Sequence, residues 1–381
     1  MAKAEKPYRV YRGGRVKGKV PVDRPGRRDG SSNGRAPRKL RPARRPWSRS
    51  RRIALVLVLL LVLIVVWAVT SYLAFSGGVE KANARLKPSA RAALAPQSGL
   101  LLSHPTTILL LGTDHKNTDE RVDLFHSDSI TLVHTDPSKH RLSYLQIPRD
   151  LRVSIPGFGL NKVNAAFQFG KEPLAIRTIQ TLGLPVYHVV VVDFSAFQQL
   201  IDAIGGVDID VPEPIVSHFE CPYDAQRCAT WKGWRFAKGR QHMDGRRALI
   251  YSRVRKNALN PGDNDITRGA RQQAVIQAIQ DKVLGFGNLA KLPFDGGDLV
   301  RPIETDLSAW QLVQLAWLKK RAGRVLHCRL GGTASGSDIV GDEQNRVVIQ
   351  EFLGEAAPQP NAPGSGPFGP GCVVGSQKFR T

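Results

Sequence analysis

"YHVVVVDFSAFQQLIDAIGGVDIDV", residues 187–211, decides the fold class. The opening run of valines is continuous and apolar, as in a strand buried on both faces. From Ser195 to Ile204 the pattern turns helical, and Gly205-Gly206 stops it. "VDIDV" (207–211) then alternates like a half-exposed strand. The same alternation extends outward. "TTILLLGTD" (106–114) reads as a buried strand, and "SITLVHT" (129–135) and "RLSYLQI" (141–147) as neighbouring strands across "DPSKH". Residues 161–170 and 172–183 have helical character. A loop-rich insertion (213–240) precedes helices near 244–253 and 266–284, and a strand-helix-strand tract ends at "VLHCRLGG" (325–332). The pattern predicts one α/β domain over 105–357, with a central, mainly buried β-sheet flanked by helices on both faces. Residues 358–381 are a Pro/Gly-rich tail, too short for a further domain.

The charge is uneven. Residues 1–52 carry 19 Lys/Arg against three acids, Glu5, Asp23 and Asp29, a large share of the chain's net +23. This arm is rich in Arg, Pro and Gly and cannot bury enough apolar surface to offset its ordering entropy, so it reads as disordered. "IALVLVLLLVLIVVWAVTSYLAF" (53–75) has no charge and no proline. At 1.5 Å per residue it spans about 34 Å, enough for a bilayer core. Arg49, Arg51 and Arg52 abut its start, and the first charge after it is Glu80. The positive-inside rule keeps the arm cytoplasmic and sends the rest outside. A cleaved signal peptide would have a shorter apolar region and an A-x-A-like exit, so an uncleaved single-pass anchor in the cell membrane is predicted. Residues 76–104, with Pro, Ser and Ala, read as a stalk.

Cysteines 221, 228, 328 and 372 all fall on the exported side, where disulfides persist. Cys221 and Cys228 are close enough to staple one loop, which leaves Cys328 for Cys372 and ties the tail down.

Ligand sites in α/β sheets gather at strand ends. Asp114 ends the first strand, Asp128 opens the second and Arg149 ends the third. Two carboxylates in oxygen-rich surroundings suit a hard cation such as Mg²⁺. Each alone is also an ordinary turn cap. "YSRVRKNALNPGDNDITRGARQQAVI" (251–276) holds Arg253, Arg255, Arg268 and Arg271, with Asp263 and Asp265 as its only acids. With Asp265 as cap, Arg268, Arg271 and Gln272 share a face in the first turns of a helix. Free backbone N–H groups there attract an anion, and guanidinium forks match phosphate oxygens bidentately. Four forks beside two carboxylates describe a diphosphate site. An exposed basic helix is the plain alternative.

"LGTD", "SDSITLVHTDP", "IPRDLRV", "NKVNAAF", "DAIGGVDIDV", "MDGRRALIYSRVR" and "DITRGARQQAVI" occur in series over about residues 105–284. Together they resemble the motifs of the LytR-CpsA-Psr family of membrane-tethered extracytoplasmic phosphotransferases. The resemblance implies transfer of a glycopolymer with its terminal phosphate from a polyprenyl-diphosphate carrier onto peptidoglycan. It implies that Asp114 and Asp128 hold Mg²⁺, that Arg149, Arg253, Arg255, Arg268, Arg271 and Gln272 grip the diphosphate, and that Asp265 orients an arginine. Lys162 and Asn164 fall in the pocket motif. Where the family places Arg before the "SD" dipeptide, this chain has Phe125-His126. Arg121 is the candidate to compensate, and His126 would make phosphate binding depend on pH near ~6.5. Phe167 and Val189 to Val192 either line a slot for the lipid tail or are plain core.

Outside the membrane there is no ATP, so the carrier's diphosphate bond supplies the energy. Phosphoryl transfer needs mostly positioning and charge neutralisation, and no Ser or Cys nucleophile. A diphosphate hydrolase would use the same residues with water as acceptor. A regulator binding DNA through the basic arm is the other class, but the arm lacks a helix pattern, so no nucleic acid is expected. The expected partners are the lipid-linked glycopolymer, peptidoglycan and the bilayer.

Overall fold

The computed structural model describes residues 48–113, 127–263, 265–357 and 370–375, with all their side chains except those of Asp128, Asp265, Ile266, Phe286, Leu289, Arg324 and Ala334. The chain divides into two units, Met1–Val56 and Leu57–Thr381. Helix α1 (Arg49–Arg85) begins in the first and runs into the second. It is followed by α2 (Pro88–Ala93), β1 (Thr106–Thr113), β2 (Ser127–Asp136), β3 (Arg141–Ile147), β4 (Arg152–Ile155), β5 (Gly159–Lys162) and α3 (Ala165–Gln180). Next come β6 (His188–Asp193), α4 (Phe194–Ala203), β7 (Val207–Val211), β8 (Ile215–Ser217), α5 (Ala225–Cys228), β9 (Trp234–Phe236) and β10 (Gly239–Met243). Then follow α6 (Gly245–Arg253), α7 (Asp265–Val283), α8 (Phe286–Val300), β11 (Glu304–Thr305) and α9 (Ala309–Arg321). The last elements are β12 (Arg324–Arg329), β13 (Thr333–Ser335), β14 (Asp338–Val340), α10 (Gln344–Leu353) and β15 (Gly371–Val374).

Seven strands form one mixed sheet in the order β11-β6-β1-β2-β3-β12-β15. β1 lies parallel to β6, and β3 to β12; the other neighbours are antiparallel. Successive residues of a strand face opposite sides, and here both sides are covered. Leu109, Leu111, Leu132, Leu145 and Val189 pack with Ala166, Ile176 and Phe352 of α3 and α10. Ile108, Val133, Leu142 and Tyr144 face the other way, against Leu101, Leu307 and the α9 leucines. The valine run is core. Val189, Val191 and Phe167 belong to the first cluster, and Val190 and Val192 pack on the opposite side.

Three boundaries differ from the sequence reading. Residues 76–104 are no stalk: Val79, Ala82, Leu86, Ala90, Ala93 and Leu101 are buried. Val79 and Ala82 on α1 pack in one core cluster and Leu86, Ala90 and Ala93 in another, burial that the Pro/Ser/Ala composition obscured. Residues 371–374 add a strand to the edge of the sheet, where Cys372 bonds to Cys328 directly opposite on β12. Residues 161–162 are strand, and the helix that follows keeps a kink at Gly170 and Lys171.

A second core cluster joins α4, β7, α6 and α7 through Ile201, Val207, Ile209, Ala248, Tyr251 and Val275. It sets the position of the arginines on α6 and α7. Asp193 and Asp244 cap α4 and α6, accepting from the N–H groups of Ala196 and Arg247. Gly245 lets α6 sit on α4: a Cβ there would lie 2.3 Å from the Gln198 carbonyl oxygen. Backbone cannot swing aside, so Gly245→Ala should cost about 1–3 kcal/mol, as overpacking does. Denaturant melts check this; an unchanged midpoint would show that α6 can slide on α4.

Two histidines on the sheet predict the acid response. Burial brings His327 down to about 4. Burial likewise outweighs the pull of Asp136 and brings His134 to about 4. Unfolded, each takes its proton near 6.5. Between those values the unfolded chain binds more protons, so stability falls as pH falls, by at most about 1.4 kcal/mol per pH unit for each histidine. Melting midpoints should hold near pH 7 and drop steadily from pH 6.5 to 4.5. A flat profile over that window would mean that both rings titrate as if solvated.

Candidate functional site

Three cavities share lining residues. The largest, about 900 Å³, is lined by Arg253, Arg255, Arg268 and Gln272, with the chain from Val216 to Glu220 opposite. A second, about 640 Å³, shares Glu220, Arg253 and Arg255 with it and continues past Arg149, Lys162 and Asn164. A small space of about 30 Å³ borders both, sharing Arg268 and Gln272 with the first and Arg149 and Asp150 with the second. The structure thus gathers seven of the expected residues, from the turn after β3, the end of β5, the residue before α3, the end of α6 and the segment after it, and α7, around one cleft.

Local geometry explains their directions. α6 ends at Arg253, and Val254 is extended (φ −56°, ψ 124°) and fully buried. Arg253 and Arg255, on either side of it, face the cleft. The Arg253 guanidinium lies 4.3 Å from the Phe194 ring centroid and donates to both carboxylate oxygens of Glu220. Glu220 sits at φ 45° beside Cys221, which bonds to Cys228. The disulfide therefore staples the loop that carries the arginine's partner. Sequence reasoning missed Glu220; its place next to a cysteine of the short pair was the available signal. An incoming anion has to share Arg253 with this carboxylate or displace it.

On α7, Arg268 and Gln272 are one turn apart and line the same wall. Gly269 between them admits the Gln146 side chain, which a Cβ would meet at 2.0 Å. Arg271 is different from the expectation. It is 3 % exposed and turned behind the cleft, where it bonds both oxygens of Asp263 at 3.1 Å and the Val254 carbonyl at 2.7 Å. Residues 271 and 272 point about 100° apart on a helix, and the domain's core claims one of the two directions. The acid that orients an arginine here is Asp263; the side chain of Asp265 lies outside the described ones.

Lys162 also has partners that the sequence did not suggest. Its ammonium lies 3.0 Å from Asp150 and 3.4 Å from Asp338, and donates to the Ser337 carbonyl. The Arg149 Nε is 3.3 Å from Asp150. Asp150 thus holds two cations at one wall. Asp114, Arg121 and His126 lie outside the described residues, as does the side chain of Asp128. Among the described residues, Arg149, Lys162, Arg253, Arg255, Lys256 and Arg268 outnumber the acids that line these cavities, and charge-assisted, bidentate contacts to phosphate are what such a lining provides.

Residues 71–341 match the model of the LytR_cpsA_psr family. The chain belongs to the LytR-CpsA-Psr family. Among curated relatives, the polyisoprenyl-teichoic acid–peptidoglycan teichoic acid transferase TagU of Oceanobacillus iheyensis is 30% identical over 265 residues, 66% of this chain and 76% of that one. TagU of Enterococcus faecalis is 30% identical over 264 residues, 68% of this chain and 81% of its own. Among solved structures, B. subtilis TagV aligns with a TM-score of 0.53 and 26% identity over 66% of this chain and 98% of TagV. TagT bound to LIIa-WTA aligns with a TM-score of 0.52 and 25% identity over 72% and 99%. These LytR-CpsA-Psr structures match the mixed sheet flanked by helices described above.

Proposed function

We propose that this chain is a membrane-anchored extracytoplasmic phosphotransferase that moves a phosphate-bearing glycopolymer from a polyprenyl-diphosphate carrier to a peptidoglycan hydroxyl. The observation that carries the reading is the convergence of Arg149, Arg253, Arg255, Arg268 and Gln272 on one cleft. The transferase names of the relatives support it. The acceptor oxygen attacks the polymer-side phosphorus, the bridging P–O bond breaks, and polyprenyl monophosphate leaves. The hydroxyl proton passes to solvent or to a carboxylate of the cleft. The arginines spread the charge that grows on the leaving phosphate, the largest contribution expected of such a site. Purified exported domain should carry a polyprenyl diphosphate detectable by mass spectrometry; a lipid without phosphorus would count against the reading.

Mg²⁺ belongs to the proposal. Thr113 pairs with Ser127 across a bulge, so the end of β1 lies beside the start of β2; in the sequence Asp114 follows the first and Asp128 belongs to the second. Among the described residues no group of three or more His, Cys, Asp or Glu could hold a metal ion. On the family resemblance, Asp114 and Asp128 would be its protein ligands, with phosphate oxygens and water completing the shell. The ion would neutralise phosphate charge.

Helix α1 is long and apolar enough to cross a membrane, and its most apolar window is wholly unburied. Arg49, Arg51 and Arg52 at its start support an inside amino terminus. A reporter fused after Thr381 should be active only outside the cytoplasm, and activity inside would overturn both topology and substrate.

A further inference from the structure

α8 runs beside the outer end of α1. The Trp67 indole N–H donates to the Ala290 carbonyl at 3.3 Å. Farther along, a Cβ on Gly296 would lie 3.5 Å from the Phe75 nitrogen, and one on Gly78 would meet the Gly297 carbonyl oxygen at 2.3 Å. These contacts climb both helices in the same direction, so α8 rises along α1 from Trp67 to Gly78. Trp67 stands eight residues before Phe75, where the uncharged run ends. At 1.5 Å per residue that is about 12 Å inside the run. A helix that touches Trp67 shares its depth.

The faces in contact are those used between helices in lipid. Ala74 and Gly78, four residues apart on α1, meet Gly297 of α8, and Phe75 meets Gly296, so that the backbones approach closely. The covering is one-sided: Ser71 is 6 % exposed, while Leu73 is 62 % exposed. Phe294, between Ala290 and Gly296, is 84 % exposed, more than any other large apolar side chain among the described residues. Asp295 and Asp298 follow it toward the outer end, where the register passes Phe75. Lys291 is the one charged residue of the inner half, and its long stem lets the ammonium snorkel to the headgroups.

We propose that α8 is a second, non-spanning membrane contact. The turn from Ala290 to Phe294 lies in the outer leaflet against the anchor, with Phe294 among the acyl chains. This rests on the reading of Ile53–Phe75 as a bilayer span. Lipid is the occupant because the contact with Trp67 places Phe294 beside that span. The consequence reaches the cleft: α8 follows α7, which carries Arg268 and Gln272, and Leu299 anchors α8 in the second core cluster. The arrangement fixes the cleft relative to the leaflet in which a polyprenyl carrier would sit.

The test uses the full chain in lipid vesicles. All four native cysteines are paired, so an introduced thiol is the single labelling site. Bimane is attached to Phe294→Cys, to Val62→Cys in the span and to Leu259→Cys, an exposed loop position, in separate samples. Lipids with acyl-chain nitroxides should remove most of the fluorescence at 62 and 294, aqueous iodide most of it at 259. If 62 follows the lipid quencher but 294 follows iodide, the α8 proposal is wrong and the span stands. If 62 also follows iodide, the span itself is wrong. Shielding of 294 from both quenchers would mean that protein covers it, which also overturns the proposal.

Discussion

Arg255→Ala is expected to cut transfer about a hundredfold and leave the melting curve where it was. Arg255 is exposed and borders the two larger cavities, so its guanidinium serves the cleft more than the fold. Losing one preorganised donor to developing phosphate charge costs on the order of 3 kcal/mol in the barrier, which is that hundredfold. Surface substitutions without such a role stay within about 0.5 kcal/mol of parent stability and leave rates alone. Arg268→Lys should fall nearly as far, because an ammonium keeps the charge and loses the fork. Arg268 is 6 % exposed, so its melting curve has to be read beside its rate. Full transfer by both variants would refute the phosphate cradle.

Arg271→Ala should do the opposite, lowering stability with little effect per folded molecule. The Arg271 and Asp263 side chains are 4% and 0% exposed. Removing the cation strands a buried carboxylate, at a cost of about 3–5 kcal/mol. Replacing both partners with apolar side chains, as in R271M with D263L, should recover much of that loss, since a buried pair often yields to packed hydrophobes. An Arg271→Ala variant that melts normally and has lost transfer would return Arg271 to the phosphate-binding set.

Much of this molecule was legible before any coordinates. The buried strands β1 and β6 are continuous apolar runs bounded by turn residues, β3 is β-rich across a turn from β2, and Gly205-Gly206 marks the stop of α4. The cysteine spacing gave both disulfides. The arginines were legible as a cluster because no acids interleave with them along α7's first turns. Their division of labour was not. Whether Arg268 or Arg271 lines the cleft depends on which side of α7 meets the second core cluster, a tertiary fact with no local signature. Glu220, Asp150 and Asp338 escaped for a similar reason. Two of these three come to their cations from distant parts of the chain, and a lone acid in a loop reads as a solvated charge. The strand at 371–374 escaped because Pro and Gly around it mask a four-residue edge strand held by one disulfide.

The central claim is tested most directly by following the polymer. Full-length protein in vesicles is given a polyprenyl-diphosphate-linked teichoic acid and peptidoglycan, and the products are separated into wall, lipid and soluble fractions. The account predicts polymer in the wall fraction, joined by a new phosphodiester, with an equal amount of polyprenyl monophosphate in the lipid fraction. Polymer released into the soluble fraction with a free terminal phosphate, and none on the wall, would show that water is the acceptor and contradict it.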